Sequence, residues 1–484
     1  MRPIVRLTSI VLALASLAAP AFVAGLPAQQ PDTLSTAVRR YVTVNAPIVA
    51  LTRVTVIDGT GAPAKHDQTI VIRNGRIAAV GARTRVQIPQ GATVLDLPGH
   101  TVIPGIVGMH DHLFYTAAGG RASQMTYTAP RLYLAAGVTT IRTTGSRAPY
   151  AEINTKQAID GGLIPGPRIH LTAPYITGAA GGGSMAVVDS PEAARRFVAY
   201  WGSEGMTWLK AYTDIRGADL AAAIDEAHKR GMKVTGHLCS VSFQEAVAFG
   251  IDNLEHGMLT ATDFDPQRTP DVCTASNLAQ VSAGTANPTG PAGQATIRRM
   301  IDNRVSMTST LAVYEPFMSA RPNNMDPRTL EMMAPEVRES YLRIRHQIDS
   351  AGGRFTLAAL KNGMAFEKAF FDAGGVLASG VDPTGIGGAL PGFGDQRNYE
   401  LLIEAGFTPE QTVRIMSANG AKILGVYDRL GSVEPGKLAD LVVLAADLRA
   451  GPAGIRNVTT VFKNGVGYDS RLLIAAVKGR IGID

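Results

Sequence analysis

Short apolar runs alternate with longer segments of helical composition through the middle of the chain, from about residue 104 to residue 423. Segments typical of helices include residues 190–203, 219–230 and 244–249. Strand–helix alternation predicts a parallel sheet in an α/β protein, and eight such units predict a (β/α)8 TIM barrel. The eight β-rich runs are residues 103–109, 138–143, 168–172, 207–211, 233–236, 251–254, 305–311 and 375–379.

The two ends of the chain have a different pattern, with short strands and turn signals but few helical segments. The pairs Asp58-Gly59 and Asn74-Gly75 are typical of hairpin turns. Residues 440–444 and 457–465 read in the same way near the C-terminus. We therefore expect residues 26–103 and 424–484 to form one small β-sandwich, with residues 104–423 as the barrel.

The first 25 residues are typical of a secretory signal peptide. Arg2 and Arg6 precede an apolar stretch over residues 7–19, and small residues follow it. This stretch is too short for a stable membrane span, although an uncleaved anchor is the alternative. We expect cleavage between Ala21 and Ala28, and a periplasmic or secreted bacterial protein with no membrane association afterwards.

Composition narrows the class of protein further. Hydrophobic residues make up 45% of the 484 residues and charged residues 18%, which excludes a disordered chain. The net charge of +6 comes without a Lys/Arg run, so we expect no nucleic-acid partner. Two cysteines exclude a disulfide-scaffold domain and a four-cysteine zinc site. A small-molecule substrate and a homo-oligomer are expected.

Six side chains suited to metal binding follow the predicted strands. His110 and His112 are two residues apart, so in extended backbone their side chains point to the same face. Imidazole and carboxylate are the ligands that Zn²⁺ takes in catalytic sites. Each group alone is weak evidence, but chemistry in such barrels sits at the strand ends. The six are His110, His112, Lys210, His237, His256 and Asp382.

Two sequence segments resemble motifs of a known family. Residues 102–113, VIPGIVGMHDHL, resemble the opening strand of the amidohydrolase superfamily, and residues 430–444, LGSVEPGKLADLVVL, resemble its C-terminal return. The resemblance spans residues 50–468 and is closest to imidazolonepropionase-like and proline-dipeptidase-like (Xaa-Pro dipeptidase type) members. It implies a barrel beside a sandwich built from both chain ends.

The resemblance also implies a set of metal ligands. His110 and His112 would bind the more buried of two divalent ions together with Asp382. His237 and His256 would bind the second ion. Zinc is the metal expected for both positions.

In the same family Lys210 would be carboxylated on its amine and bridge the two ions. A bridging water, ionised near neutral pH, would then attack the carbonyl carbon. Asp382 would take the proton from the water and deliver it to the leaving nitrogen.

The sequence departs from the family pattern in three places, one of which is the loop after predicted strand 8, where it reads Asp382-Pro-Thr-Gly. Asp111 stands where relatives carry Val, Thr or Cys, and strand alternation predicts that its side chain faces away from the metals. The loop at residues 177–183 lacks a histidine that dipeptidase-like relatives carry. Because such loops shape the substrate pocket, they bear on substrate identity more than on metal binding.

Three further features have a functional and a structural interpretation. Tyr212 would donate a hydrogen bond to the developing oxyanion or to a substrate carboxylate, or else pack at the rim. Arg142 would clamp a carboxylate, or else form a structural ion pair. Residues 315–359 would form a lid over the barrel mouth, or else a surface insertion.

The two cysteines are expected to form a disulfide bond. Cys239 follows predicted strand 5 and Cys273 follows predicted strand 6, which places both loops on the same rim. Export to an oxidising compartment would let such a bond persist. Two unpaired thiols are the alternative.

The leading function is a secreted binuclear metal-dependent amidohydrolase that cleaves an amide bond in a dipeptide or N-acyl amino acid. The alternative enzyme hydrolyses cyclic amides, lactones or xenobiotic carbonyl compounds with the same site. A non-catalytic binding protein would be expected to lack a metal ligand, whereas all six positions are filled here.

Overall fold

The computed structural model describes residues 34–116, 121–181, 185–274, 287–319, 321, 326–353 and 355–483. The expected signal peptide, residues 1–25, lies outside this part of the chain. No helix within the described ranges is both long and apolar enough to cross a membrane.

Strands and helices alternate through the middle of the chain, while strands predominate near its ends. The strands are β1 (Val42–Val44), β2 (Ile48–Val56), β3 (Lys65–Arg73), β4 (Arg76–Ala82), β5 (Thr93–Asp96), β6 (Thr101–Pro104), β7 (Ile106–Asp111), β8 (Phe114–Thr116), β9 (Ala122–Gln124), β10 (Val138–Thr143), β11 (Arg168–His170), β12 (Thr172–Thr177), β13 (Ala186–Val187), β14 (Trp208–Ala211), β15 (Lys233–Gly236), β16 (Asn253–Glu255), β17 (Ser306–Ser309), β18 (Leu377–Ser379), β19 (Leu441–Leu444), β20 (Val458–Lys463) and β21 (Val466–Asp469). Helices cover Thr36–Arg39, Thr128–Ala135, Pro149–Asp160, Pro191–Ser203, Gly217–Lys229, Phe243–Phe249, Pro291–Asp302, Leu311–Tyr314, Pro327–Met332, Pro335–Ala351, Leu357–Asp372, Phe393–Glu404, Pro409–Arg414, Gly420–Leu424 and Ser470–Ala475. Shorter 3-10 turns occupy Glu315–Phe317 and Pro452–Arg456, and a π-helical turn occupies Ile415–Asn419.

Strands from the two chain ends share one nine-stranded sheet, in the order β1-β21-β20-β19-β6-β2-β3-β4 with β5 beside β2. The junction is the antiparallel pair β19–β6, in which Val442 lies opposite Ile103. Alternate residues of β2 and β19, such as Val49, Leu51, Leu441 and Val443, enter one hydrophobic cluster. The period of two in these strands therefore buries one face of the sheet.

Parallel strands form the middle of the chain, in one sheet of order β11-β10-β7 and one of order β13-β12-β14-β15-β16-β17-β18. A single residue, Leu171, separates β11 from β12, so the two sheets run into each other along the chain. Their strands are buried along most of their length. Parallel strands covered on both faces are expected to read as continuous apolar runs, which is why the sequence pattern locates them.

β18, the last strand of the seven-stranded sheet, lies against β7 of the three-stranded sheet. The Asp382 backbone N–H donates to the carbonyl of His110 at 2.8 Å. A Cβ atom at Gly380 would lie 2.3 Å from the backbone nitrogen of His110, so only glycine permits this close approach of the two strands. Gly380 also donates to the carbonyl of Ser309 in β17 at 3.0 Å. These contacts bring the end of β18 to the end of β7.

Each of the eight predicted runs overlaps a strand of the parallel sheets, but the first prediction is partly wrong. Residues 103–104 belong to β6, which pairs with β19 in the sheet of the chain ends. The chain passes from one sheet to the other at Gly105, whose N–H donates to the carbonyl of Asp440 at 2.8 Å. A Cβ atom at Gly105 would lie 2.1 Å from the hydroxyl of Thr139, so this crossing also requires glycine.

The helices between the strands begin at capping residues and bury one face. Ser190 accepts a hydrogen bond from the Ala193 N–H and caps helix Pro191–Ser203. That helix buries Ala194, Val198 and Trp201, which have the spacing of one helical face. Its bounds lie within one residue of the predicted 190–203.

The predicted disulfide bond between Cys239 and Cys273 is confirmed, with a Cα–Cα distance of 5.2 Å. Cys239 follows β15 and Cys273 lies in the long connection after β16. The bond closes a loop over a sequence separation of 34 residues, at the edge where β15 and β16 end.

Candidate metal centre

The six predicted ligands lie at the carboxyl ends of five strands: the neighbouring β14, β15 and β16, β18 of the same sheet, and β7 of the other sheet. His110 lies in β7 and Lys210 in β14. His112, His237, His256 and Asp382 follow the ends of β7, β15, β16 and β18. Because parallel strands end at one edge, side chains that are far apart in sequence meet there.

Three of these side chains form a compact cluster. Nitrogen atoms of His110 and His112 and an oxygen atom of Asp382 all lie within 4.8 Å of one another. The Nε2 atoms of His110 and His112 lie 3.5 Å from Asp382 Oδ2 and Oδ1, respectively. All three residues are buried. Each thus presents a lone pair toward one common position.

The remaining groups adjoin this cluster. The His256 ring centroid lies 4.5 Å from that of His110 and 4.3 Å from that of His237. His256 Nε2 lies 3.9 Å from Asp382 Oδ2. The structure therefore brings the second predicted histidine pair against the first.

The donor set fits divalent metal ions. Within the described part of the chain, the buried atoms Lys210 Nζ and His256 Nε2 have no hydrogen-bond partner. A buried polar atom without a partner is costly, and a bound ion would satisfy it. Four imidazoles and a carboxylate are ligands for zinc and related ions. These residues therefore fit the metal centre that the sequence predicts.

Backbone strain accompanies two of the ligands. His256 has a φ of 69° and Asp382 a φ of 49°, both in the left-handed region. This conformation costs free energy for a residue with a Cβ and tends to persist at functional sites. In both cases it turns the side chain at the point where the strand has just ended.

Burial holds the histidines neutral, as metal binding requires. Burial and the neighbouring Lys210 ammonium lower the pKa of His110 to about 4 and that of His237 to about 3. Burial also lowers the pKa of Lys210 to about 8, although the carboxylates of Glu255 and Asp382 oppose the shift. A neutral amine is the form of lysine that reacts as a nucleophile.

Asp382 is ionised in this environment. Burial alone would raise its pKa, but His110 and His112 outweigh burial and hold the pKa well below its usual range. The hydroxyl of Thr384 donates to Asp382 Oδ1 at 2.7 Å. The carboxylate is thus fixed in orientation by a neighbour two residues along the chain.

Glu255 orients His110 from behind. His110 Nδ1 lies 2.7 Å from Glu255 Oε2, and both residues are buried. Burial would raise the pKa of Glu255, but the charges of Arg142 and Lys210 outweigh it and hold the pKa well below its usual range. An ionised carboxylate only accepts hydrogen bonds, so Nδ1 carries the proton and Nε2 faces Asp382 with a lone pair.

Arg142 does not lie where a carboxylate clamp requires it. It is fully buried inside β10, where it donates to Glu255 and to the carbonyl of Met109. It is absent from the residues that line the cavity described below. The side chain forms a structural ion pair beneath His110, because a residue within a strand is held in the layer below the strand ends.

Asp111 faces away from the metal ligands, in agreement with strand alternation. Its Oδ1 atom accepts a hydrogen bond from the Val381 N–H at 3.2 Å. Burial and the neighbouring Asp395 raise its pKa well above the usual range. The side chain therefore joins β7 to the loop after β18 through this hydrogen bond.

A cavity of about 290 Å³ opens above the metal ligands. Met185 and Thr260 line it, and Tyr212 lies at the position predicted for it, with its ring centroid 4.8 Å from that of His237. Burial raises the pKa of Tyr212 to about 12, so its hydroxyl remains a donor. Six aromatic side chains form the aromatic wall of the cavity: Phe114, Tyr175, Tyr212, Tyr314, Phe317 and Phe355.

The segment predicted as a lid contributes to this wall. Phe317 and Phe355, near its two ends, line the cavity, and helix Pro335–Ala351 lies between them along the chain. Of loop 177–183, residues 182 and 183 lie outside the described residues. The other five histidines of the chain do not line the described cavity, as expected for structural or surface residues: His66, His100, His170, His228 and His346.

Sequence reasoning missed several polar residues of the site. Glu255 directly precedes the predicted ligand His256. Thr310 directly follows β17, and its hydroxyl lies 2.6 Å from His256 Nδ1, with which it forms a hydrogen bond. Thr384 and Arg147 are the other two. Glu255 and Thr310 lie at strand ends, and this position was the one available signal in the sequence. Many residues without a functional role also lie at strand ends, so the signal does not identify these two.

Comparison with known proteins relates the chain to the amidohydrolase family. The amidohydrolase family model matches residues 101–263 and 393–467. The chain is 27% identical over 186 residues to the enamidase of Eubacterium barkeri, a stretch covering 36% of this chain. That stretch spans 45% of the enamidase, so the match extends over less than half of that relative.

Solved structures share the fold over nearly the whole chain. A Xaa-Pro dipeptidase with bound methionine superposes with a TM-score of 0.64 at 19% identity, covering 87% of this chain and 100% of the dipeptidase. The bottromycin amidohydrolase superposes with a TM-score of 0.68 at 18% identity, covering 94% of this chain and 96% of the other. At these identities the similarity is one of fold.

Proposed function

We propose that this chain, which belongs to the amidohydrolase family, is a binuclear metal-dependent hydrolase that cleaves the amide bond of a dipeptide or N-acyl amino acid. The convergence of four histidines, Lys210 and Asp382 beneath one cavity carries the proposal. Such a set is hard to explain structurally, because it leaves buried polar atoms without partners.

Two divalent ions, zinc in the first place, are assigned to this donor set. His110, His112 and Asp382 would hold the more buried ion, and His237 and His256 the other. Carboxylation of Lys210 would join its amine nitrogen to carbon dioxide with loss of a proton, giving an anionic group that bridges the two. The lowered pKa of Lys210, which makes the neutral amine easier to reach, and the absence of a hydrogen-bond partner for its Nζ atom among the described residues support this modification.

The bound ions would supply Lewis acidity and a water that ionises near neutral pH. Asp382 takes the proton from the attacking water on its carboxylate and transfers it to the leaving nitrogen as the carbon–nitrogen bond breaks. The Tyr212 hydroxyl donates a hydrogen bond to the oxygen of the carbonyl that is attacked. The aromatic wall excludes bulk water from this region.

The same proposal includes the overall architecture and the location of the protein. We propose that the parallel strands β7 to β18 close into a (β/α)8 barrel, which the Asp382–His110 backbone hydrogen bond supports. The sheet of the chain ends would form a β-sandwich beside it. Residues 1–25 would direct export to the periplasm or medium, and the Cys239–Cys273 bond supports an oxidising compartment. Light scattering of the exported protein would test the expected homo-oligomer.

The aromatic wall also favours a second candidate within the same chemistry. Six aromatic side chains line a cavity of about 290 Å³, which suits a small compound with a ring. Cyclic amides, lactones and xenobiotic carbonyl compounds belong to this class.

A hydrolysis screen of the purified, zinc-loaded protein distinguishes the two. Dipeptides, N-acyl amino acids, cyclic amides and lactones are offered at equal concentration, and release of amine or acid is measured. We expect turnover of the first two classes. Turnover confined to cyclic amides and lactones would favour the second candidate, and no turnover of any class would contradict the hydrolase proposal.

A further inference from the structure

Arg147 is the arginine that lines the cavity within the described part of the chain. It lies four residues beyond the end of β10, in the loop at the strand ends. Its guanidinium carbon lies 5.1 Å from the ring centroid of Phe114. This cation–π contact orients a planar group that has donors along its edges.

The cavity has little other positive charge near its wall. Lys210 and the predicted metal ligands lie at the floor, and the described residues that line the rest of the cavity include no other lysine or arginine besides Arg147. The Phe114 ring that Arg147 contacts has its centroid 6.4 Å from that of Tyr175, and the Tyr175 centroid lies 5.5 Å from that of Tyr212. Arg147 therefore brings its charge to the side of the cavity where these two rings stand.

Phe114 links this charge to the reacting end of the cavity. The Phe114 ring centroid lies 4.5 Å from that of His112. The guanidinium and the His112 imidazole thus contact the same phenyl ring. A molecule whose carbonyl lies over the metal ligands can place a group a few atoms away against Arg147.

We propose that Arg147 binds the free carboxylate of the amino-acid half of the substrate and so selects N-acyl amino acids and dipeptides over neutral amides. The inference rests on the proposed function and defines its substrate class. A guanidinium donates two parallel hydrogen bonds to a carboxylate, which gives both affinity and orientation. The contact is made to a group that does not react, so Arg147 is a specificity residue and takes no part in bond breaking.

The test separates binding from hydrolysis. Benzoylpropionate, in which a methylene replaces the amide nitrogen of benzoylglycine, cannot be hydrolysed, and its carboxamide lacks the charge. Calorimetry measures the affinity of both compounds for the zinc-loaded protein and for Arg147→Gln, Arg147→Lys and Arg298→Gln. Arg298 is an exposed residue of helix Pro291–Asp302 and serves as the matched control.

The protein and the Arg298→Gln control are expected to prefer the carboxylate to the carboxamide by about 10- to 100-fold, the usual effect of hydrogen bonds to a charged partner. Arg147→Gln should abolish the preference and Arg147→Lys should retain part of it. Equal affinity of the unaltered protein for both compounds, or a preference that survives Arg147→Gln, would overturn the inference.

Hydrolysis of benzoylglycine is measured separately on the same proteins. Arg147→Gln should raise KM with little change in kcat, since the lost contact is the same in substrate and transition state. If no amide is hydrolysed while the carboxylate preference depends on Arg147, the proposed function fails and the binding site stands.

Discussion

Replacing Glu255 with Gln should weaken metal binding without removing any ligand. Glu255 Oε2 accepts from His110 Nδ1 at 2.7 Å, and Oε1 accepts from Arg142 and, at 3.0 Å, from Asn253. In the variant, Arg142 requires the amide oxygen of Gln as its hydrogen-bond acceptor, so the amide NH2 group faces His110. The NH2 group can donate to His110 Nδ1 only if Nδ1 carries no proton. The neutral ring then carries its proton on Nε2, the atom that should bind the metal.

Two magnitudes follow from this arrangement. Loss of a partner that orients a metal-binding histidine typically lowers metal affinity by about 10- to 100-fold. Loss of charge from a fully buried ion pair leaves the Arg142 guanidinium uncompensated, which destabilises the fold by about 3–5 kcal/mol. Glu255 and Arg142 are both fully buried, so solvent does not reduce the effect.

Competition with a chromophoric chelator measures the zinc affinity, and thermal unfolding measures stability. Asp440→Asn is the matched control, because Asp440 is a buried carboxylate just before β19 that pairs with Arg168 of β11 at 2.9 Å. The control should lose stability and retain zinc affinity. An unchanged zinc affinity in Glu255→Gln would refute the role of Glu255 in fixing the His110 tautomer.

Three further predictions concern other parts of the chain. Asp382→Asn should lower kcat by about 10²- to 10⁴-fold, because the amide cannot take a proton from water. Asn tolerates the left-handed backbone at this position. An Asn variant with full metal content and ordinary kcat would contradict proton transfer by Asp382. Burial lowers the pKa of Lys463, which donates to the Gly166 carbonyl at 2.9 Å, to about 7. Above pH 7 the folded protein therefore binds fewer protons than the unfolded chain. The free energy of unfolding should then rise between pH 7 and pH 9 by up to about 1.4 kcal/mol per pH unit. Thermal unfolding measures this as a rise in midpoint with pH, which Lys463→Met should flatten. Replacing Cys239 and Cys273 together with Ser should lower the unfolding free energy by about 3–4 kcal/mol, measured by urea titration, and an unchanged midpoint would show that the bond contributes nothing.

The strand ends were predictable because buried parallel strands appear as apolar runs in the sequence. A histidine, lysine or aspartate directly after such a run is conspicuous, and the structure brings these six residues together. The bounds of the first run were wrong, since β6 and β7 are both apolar and only Gly105 marks the change of sheet.

The role of Glu255 could not be predicted from strand alternation. Glu255 and His256 are neighbours, so an extended backbone would point them to opposite faces. The positive φ of His256 breaks the alternation, and both side chains approach His110. A backbone turn of this kind has no signal in a single sequence.

The two alternatives for Arg142, a carboxylate clamp and a structural ion pair, could not be separated from the sequence, and Arg147 was not identified as a candidate. Arg142 lies within β10, whereas Arg147 lies four residues beyond its end. The depth of a side chain relative to the strand end depends on packing, which decides whether an arginine pairs with Glu255 or lines the cavity.

Metal content measured together with activity tests the central claim most directly. Elemental analysis of the purified mature protein should find about two divalent ions per chain, zinc foremost, and chelation should abolish hydrolysis until the ions are restored. His237→Ala should lose metal and nearly all activity while keeping its fold by circular dichroism. A fully active protein that holds no transition metal would contradict the account.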